Sequence, residues 1–283
     1  MGSIIMKEKR VKVKDQNLCL CNSGKAYEEC CKSKKQEYYT LGKNYENKDM
    51  IFNHTSNMKV YDEITDYAMY NIFDLEGQSV LTISKSMEIL NNIYEKVNRG
   101  MNQFSHFAPC KKGCSSCCSL YVDLTAIEAE NIRRYVVDNK SDDEINAYKT
   151  KLKEIKEEVE TTSRPYELSK EELDKLHYEY ALKDIPCIFL NEEGACGIYE
   201  ARPLSCRKFI VFSARDKCED NVSKVISPNL APTNIGRLAI DHLSMITGRY
   251  KNLIYINEGD KSPIKRPLMQ WIEEDFYDIN RKP

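Results

Sequence analysis

The stretch CLCNSGKAYEECC sets Cys19 and Cys21 one residue apart and returns to the adjacent pair Cys30 and Cys31. Four thiolates in that pattern suit a tetrahedral Zn2+ site with Zn–S bonds of about 2.3 Å. Ser23, Gly24 and Lys25 supply the return turn, because glycine permits the positive φ that a tight turn needs. So short a segment cannot bury a core of its own, and structural zinc supplies about 10–16 kcal/mol of folding free energy in small modules. A second group, CKKGCSSCC, carries Cys110, Cys114, Cys117 and Cys118, and Cys187, Cys196 and Cys206 come later in PCIFLNEEGACGIYEARPLSC. Seven thiolates exceed the four that one tetrahedral metal takes. Two metals share them, or a cluster takes four with others in reserve, or some pack as small hydrophobes. Side chains of successive residues on an extended chain point oppositely, so Cys117 and Cys118 meet one metal only where the chain turns.

The surroundings of these cysteines carry compensating charge. Lys111, Lys112, Arg202, Arg207 and Lys208 lie close in sequence to the candidate ligands. Arg207 either donates to a thiolate or an anionic substrate group, or pairs with Glu200 at the surface. Cys218 is an eighth ligand or a free thiol, and His106 joins the site or orients a ligand. His177 and His242 fall on expected helices and read as structural. The neighbours Glu273, Glu274 and Asp275 point in different directions on a helix, which argues against a metal cluster there. No general acid, base or nucleophile is assigned.

The balance of charge excludes some functions. A formal net charge of −2 and a pI near 6.2 argue against a general nucleic-acid binder. With 30% charged residues and a mean hydropathy of −0.58, the expectation is a soluble protein. No apolar run approaches the roughly 20 residues that span a bilayer. The opening MGSIIMKEKRVKVK has no signal-like apolar stretch, so a cytoplasmic location is expected. In a reducing compartment twelve cysteines read as metal or redox chemistry rather than as disulfides. The first 36 residues are basic, with nine Lys/Arg against Asp15, Glu8, Glu28 and Glu29.

The elements that must position these residues are mostly helical. Val80, Ile83, Met87, Leu90, Ile93 and Val97 recur at intervals of three and four, which predicts a helix over 80–99. Thr125 with Glu128, Ser141 with Glu144 and Ser169 with Glu172 have the spacing of capping boxes. They open helices after 125, from 141 to Glu160 with a solvated charged face, and over 170–183. Further helices are expected at 234–247 and 266–279, and short strands at IPCIFL and KFIVF. A linker is expected near 33–50, unless Tyr38, Tyr39 and Tyr45 pack on the next domain. The expected fold class is mainly α with a few short strands: a helical domain with cysteine-bearing loops around a metal site, plus a small N-terminal zinc knuckle. The expected division is 1–35 and 36–283, with the central motif over 105–212.

Two resemblances sharpen this reading. Cys19, Cys21, Cys30 and Cys31, with Ser23, Gly24, Lys25 and Tyr27 at the turn, resemble the SEC-C motif, best known from the tail of the SecA translocation ATPase. Leu20 and Asn22 depart from the common Pro and Gly. The resemblance implies a zinc-bound, basic docking module that contacts another protein. Cys110, Cys114, Cys117 and Cys118, then Pro186-Cys187, Gly194, Cys196, Ile198-Tyr199-Glu200, Arg202-Pro203, Cys206-Arg207 and Phe209, resemble the YkgJ-type CxxCxxCC proteins, zinc- or iron-chelating domains. The first interval is one residue longer than the family's name states. Flagellin lysine N-methylases resemble that family through similar cysteine blocks, associated with an iron–sulfur cluster. The first three central cysteines also share the C-x3-C-x2-C spacing of radical S-adenosylmethionine enzymes. The charged helices expected after Cys118 do not suit the barrel of alternating strands and helices that such enzymes need.

Three functions are compatible with these residues. The first is a metal-binding protein with a structural zinc module and a multi-cysteine iron–sulfur or zinc site, acting on or with another protein. The second is an iron–sulfur-dependent, methylase-like enzyme modifying protein lysines, and the third a metal chaperone or store. No specific nucleic acid and no membrane insertion are expected. No G-x-G-x-x-G or Walker loop occurs to cradle a nucleotide cofactor.

Overall fold

Tyr38, Tyr39 and Thr40 open a run of residue types that favour strands, and a sheet forms there. The computed structural model describes residues 7–75, 81–111, 113–156, 169–220, 228, 230–248 and 263–272. Strands β1 (Lys9–Arg10), β2 (Tyr38–Lys43) and β3 (Asp49–Asn53) build an antiparallel sheet in that order, with Tyr39 opposite Phe52 and Lys9 opposite Thr40. Leu41, Met50 and Phe52 point into the core. The turn between β2 and β3 is held by Asn44, whose side chain accepts from the Glu46 and Lys48 N–H groups. The linker expected near 33–50 is therefore this hairpin. Its lysines and asparagines lie on the open face and in the turn, which gives the stretch a linker's composition.

Asn53 ends β3 and caps helix α1 (His54–Asn71) by accepting from the Ser56 N–H. Helix α2 (Ile83–Asn102) starts at Thr82, which caps it through the Lys85 N–H. Ile89, Leu90, Ile93 and Val97 are buried along its inner face, as the periodicity predicts, while Val80 lies outside the described residues. Helix α8 (Ala231–Gly248) packs on both α1 and α2. Here glycine matters: a Cβ on Gly236 would stand 2.7 Å from a methyl of Val97, and one on Gly100 would stand 3.0 Å from Pro232. The two small residues let α2 and α8 approach closely.

The remaining elements surround this layer. Strand β4 (Asp123–Thr125) leads into α3 (Ala126–Asn139) through the capping box of Thr125 and Glu128. Helices α4 (Asp142–Lys156) and α5 (Lys170–Lys183) come next, α5 opened by the Ser169–Glu172 box; residues between them lie outside the described set. Tyr148 and Leu152 bury one side of α4, so its charged face is not its whole surface. The short helices α6 (Leu204–Arg207) and α7 (Arg215–Asp220) carry Cys206 and Cys218. The helix expected at 266–279 begins instead as strand β5 (Lys265–Pro267), paired with β4, and continues as the single turn α9 (Leu268–Trp271). The Lys265–Pro267 segment is held extended by pairing with β4, and Trp271 donates from its indole to the Leu124 carbonyl. Residues from 273 onward, including Glu273, Glu274 and Asp275, are outside the described set.

IPCIFL and KFIVF are not strands. The first closes a tight hairpin through a bridge between Leu190 and Cys196, and the second runs as irregular chain after α6. Ile188, Phe189, Ile210, Val211 and Phe212 are all buried, so their β-rich composition reflects core burial rather than a ladder. The protein is mainly α-helical with a few short strands. Its main apolar core runs through the helices, and a separate small cluster joins Cys19, Cys30, Cys31 and Tyr38.

Candidate metal centres

At the N-terminus the chain turns twice to gather its thiols. Leu18 bridges Ala26, and the Cys19 N–H donates to the Lys25 carbonyl at 2.8 Å, closing the Ser23-Gly24-Lys25 turn with Gly24 at φ +76°. A helical turn over Glu28–Lys32 then brings Cys30 and Cys31 back. The four sulfurs of Cys19, Cys21, Cys30 and Cys31 lie within 4.8 Å of one another, and Cys21 and Cys30 are 3.5 Å apart. Tetrahedral bonds of about 2.3 Å would put ligand sulfurs roughly 3.8 Å apart, so the set fits a single Zn2+ or iron with small adjustments. It is the one such gathering of three or more His, Cys, Asp or Glu ligand atoms among the described residues.

The thiols of this group differ in their readiness to ionise. Hydrogen bonds from Ser23 and from the neighbouring cysteines hold Cys21 down to about 6. Burial opposes ionisation of Cys19, but hydrogen bonds from the Cys21 N–H and the Cys31 thiol outweigh it and lower its pKa. Cys31 is pushed up to about 12, chiefly by burial, although a hydrogen bond with the Tyr38 hydroxyl at 3.2 Å favours its thiolate. Cation binding would draw the remaining protons off, so metal uptake here releases protons. The Tyr38 contact escapes a motif reading. Its sequence signal is only that a tyrosine sits seven residues after Cys31.

The central cysteines come from three segments. Gly113, at φ +83°, turns the 110–118 loop, and Gly194, at φ +73°, turns the 187–196 hairpin against it. A Cβ on Gly194 would lie 3.2 Å from the Gly113 carbonyl oxygen, so the two turns touch backbone to backbone. The Cys187 N–H donates to the Cys118 carbonyl at 2.9 Å, which joins loop and hairpin. A 3-10 turn over Ser116–Ser119 supplies the bend needed at Cys117 and Cys118, whose thiols hydrogen-bond to each other. Cys206 stands on α6. Cys117, Cys187 and Cys196 are close enough to it that each of their negative charges would raise its pKa. Unlike the N-terminal set, no three of these sulfurs lie within 4.8 Å of one another.

Burial pushes Cys187 up to about 12 and raises Cys110, Cys196 and Cys206 as well. Cys117 is raised by its bond with Cys118 and then by burial; both it and Cys110 are open at the surface but set among protein on their other sides. Cys218 is half-buried on α7, which packs against the 116–119 turn. His106 is exposed and lies against Phe107, the rings tilted by 43° with centroids 3.8 Å apart. His177 packs against Tyr121, and burial lowers its pKa; His242 packs edge-on to Phe73. Both sit on helices in structural settings.

Among the described residues, Arg207 pairs with neither a thiol nor the Glu200 carboxylate. Its guanidinium lies over the Tyr94 ring at 4.2 Å, donates to the backbone carbonyls of Arg202 and Glu200, and reaches the Asn98 side chain. Glu200 meets it with a carbonyl, not a carboxylate. Beneath it is a polar node that sequence reading missed. The buried Glu128 carboxylate accepts from the Tyr94 hydroxyl, the Thr125 N–H and hydroxyl, and the Leu204 N–H. Burial raises its pKa. This node fixes the start of α6, and with it Cys206, to α2 and α3. Its one visible signal is the Thr125–Glu128 spacing, which a simple helix cap explains equally well.

Comparison with family models matches residues 109–223 to the CxxCxxCC family, described as a "putative zinc- or iron-chelating domain". A CxxCxxCC-type cysteine cluster is thus present in this chain. Comparison with curated proteins and with solved structures finds no match. Among the described residues, no helix is long and apolar enough to cross a membrane.

Proposed function

We propose that this chain is a metal-binding protein with two cysteine centres of different purpose. The observation that carries the reading is the gathering of the Cys19, Cys21, Cys30 and Cys31 sulfurs within 4.8 Å. In this reading they hold one structural Zn2+ in a SEC-C-like module over 1–35, and the rest of the chain, 36–283, forms the helical body. The second centre uses Cys110, Cys114, Cys117, Cys118, Cys187, Cys196 and Cys206 to bind zinc, iron or an iron–sulfur cluster. Its support is the family match over 109–223 and the convergence of loop, hairpin and α6. Cys110, Cys117, Cys187, Cys196 and Cys206 have raised pKa values and stay mostly protonated without metal, so loading requires their closure on a cation and loss of protons. The exposed Lys9, Arg10, Lys14 and Lys25 beside the module form a basic surface for an acidic protein partner. A reducing, cytoplasmic setting keeps both sets of thiols available.

The test is anaerobic purification followed by zinc, iron and acid-labile sulfide analysis of the full chain and of its Cys19→Ser and Cys117→Ser variants. Zinc is expected to be lost with Cys19→Ser, and iron or a second zinc with Cys117→Ser. If both variants keep their full metal content, the two-centre reading fails.

A further inference from the structure

The four sulfurs of the N-terminal set draw on different donors. Cys19 takes the Cys21 N–H and Cys21 takes the Ser23 N–H, while the Ser23 hydroxyl stands 3.2 Å from the Cys30 sulfur. These donors belong to the same loop as the ligands. Cys31 differs. Apart from its fellow thiols, its partner is the Tyr38 hydroxyl at 3.2 Å, which comes from strand β2. Cys31 is 6% exposed and Tyr38 4%, so water has little access to either group.

The body of the protein aims Tyr38 at this sulfur. The Tyr38 carbonyl receives the Val11 N–H at 2.8 Å, and across the sheet Tyr38 lies opposite Asn53. One residue earlier, Glu37 donates its N–H to the Thr55 hydroxyl and accepts the His54 N–H, both at 2.9 Å. The Gln36 N–H donates to the Cys31 carbonyl at 2.8 Å, and the Gln36 side chain accepts from the Asn53 amide at 3.0 Å. Residues 36–38 thus join Cys31 to the first turn of α1.

Between a thiol and a phenol, either atom can donate. A thiolate bound to a cation has no proton, so the phenol O–H must then be the donor. Four thiolates around one Zn2+ leave an excess of negative charge, and Cys31 carries its share on a side closed to water. A hydrogen bond to a charged sulfur is stronger than one between neutral groups. Partners of this kind behind a metal ligand change affinity by about 10–100-fold. We propose that Tyr38 is a positioning residue of the N-terminal metal centre: its O–H holds the Cys31 thiolate in place and ties the bound ion to β2 and α1. This rests on the reading of Cys19, Cys21, Cys30 and Cys31 as a metal centre.

The test loads the full chain, unaltered and as Tyr38→Phe, with Co2+ as a coloured substitute and then with zinc against a competing chelator. Phenylalanine keeps the ring and removes only the O–H. The thiolate-to-cobalt charge-transfer band should move to longer wavelength, because a sulfur without its hydrogen bond gives up electron density more readily. Zinc of the kind that Cys19→Ser removes should be held about tenfold or more weakly. Site-specific 3-fluorotyrosine in place of Tyr38, a stronger donor, should move the band the other way. Tyr39→Phe, whose ring stacks on His54 from the other face of the strand, should change neither property. The difference between two such spectra cancels any contribution from the central cysteines. The proposal is overturned if the band stays in place in Tyr38→Phe, whatever the affinity does, or if zinc is held as tightly as before; the metal centre itself then stands. If the unaltered chain shows no cobalt band that Cys19→Ser removes, the metal reading fails and the proposal falls with it. Should Tyr38→Phe fail to fold, the fluorotyrosine chain decides, and an unmoved band there overturns the proposal.

Discussion

The two cysteine regions solve the same problem in opposite ways. In the N-terminal one, four thiols from a single short loop lie close together, and hydrogen bonds lower the pKa of two of them. In the central one, thiols from three segments stand in one neighbourhood but further apart, and burial holds most of them protonated. The difference reflects where the positioning energy comes from. The first region has only local turns and a satellite cluster around Tyr38, so its thiols must themselves complete its interior. The second borrows its framework from the helical core through Glu128, Arg207 and the Gly113–Gly194 contact. On the proposed reading, an ion in the first region would complete its fold, and a site in the second, held by a scaffold, would tolerate change in what it binds.

The strongest way to break this contrast is to strip metal with a chelator. The N-terminal loop should then open, with a loss of about 10–16 kcal/mol for that module, while the helical core persists. Helical circular dichroism should change little, and limited proteolysis should cut within residues 11–37. Unchanged protection of that loop after complete metal removal would count against a metal-built module.

A smaller effect, aimed at the other region, comes from Glu128→Ala. It strands the buried Tyr94 hydroxyl and the Thr125 and Leu204 N–H groups, at a cost of about 3 kcal/mol or more in denaturant titration. Because α6 loses its anchor, metal at the central cysteines should fall while zinc at the N-terminus holds. Equal loss at both centres would mean that they are not independently supported.

The mildest contrast is in pH. Cys187 is pushed up to about 12 in the fold against an ordinary 9.0, so without metal its contribution to stability is full below 9 and is lost as pH rises toward 12. The metal-free helical body should therefore lose stability above pH 9, while the N-terminal thiols, released with their ion, add no such limb. Cys187→Ala should flatten the alkaline limb in melting curves taken across pH.

Much of this was legible in the chain. The inner face of α2 and the Thr125 and Ser169 boxes come from short-range periodicity and capping, which a sequence displays directly. So does the N-terminal gathering, because all four ligands and their turn fall within thirteen residues, Cys19 to Cys31. The features hidden in the sequence depend on partners far away along the chain. The β2–β3 hairpin reads as a polar linker until its apolar side meets Phe104 and the core. IPCIFL reads as a strand because a residue buried in a hairpin has the same composition as one in a sheet. Arg207 sits beside Cys206 in sequence, yet it is claimed by Tyr94 and two carbonyls, none of which its neighbours announce.

The clasp made by β1 on β2 has a kinetic meaning. Val11 donates to the Tyr38 carbonyl at 2.8 Å, so residues 11–37 form a loop whose two ends are pinned together. A sulfur that lets go of its ion is held beside it by that tether and rebinds before a competitor arrives, because closure within a short loop gives a high local concentration. The N-terminal ion should leave slowly even in excess chelator. If the central cysteines, spread from Cys110 to Cys206, hold an ion as proposed, no single short loop tethers all of them, and that ion should exchange the faster of the two.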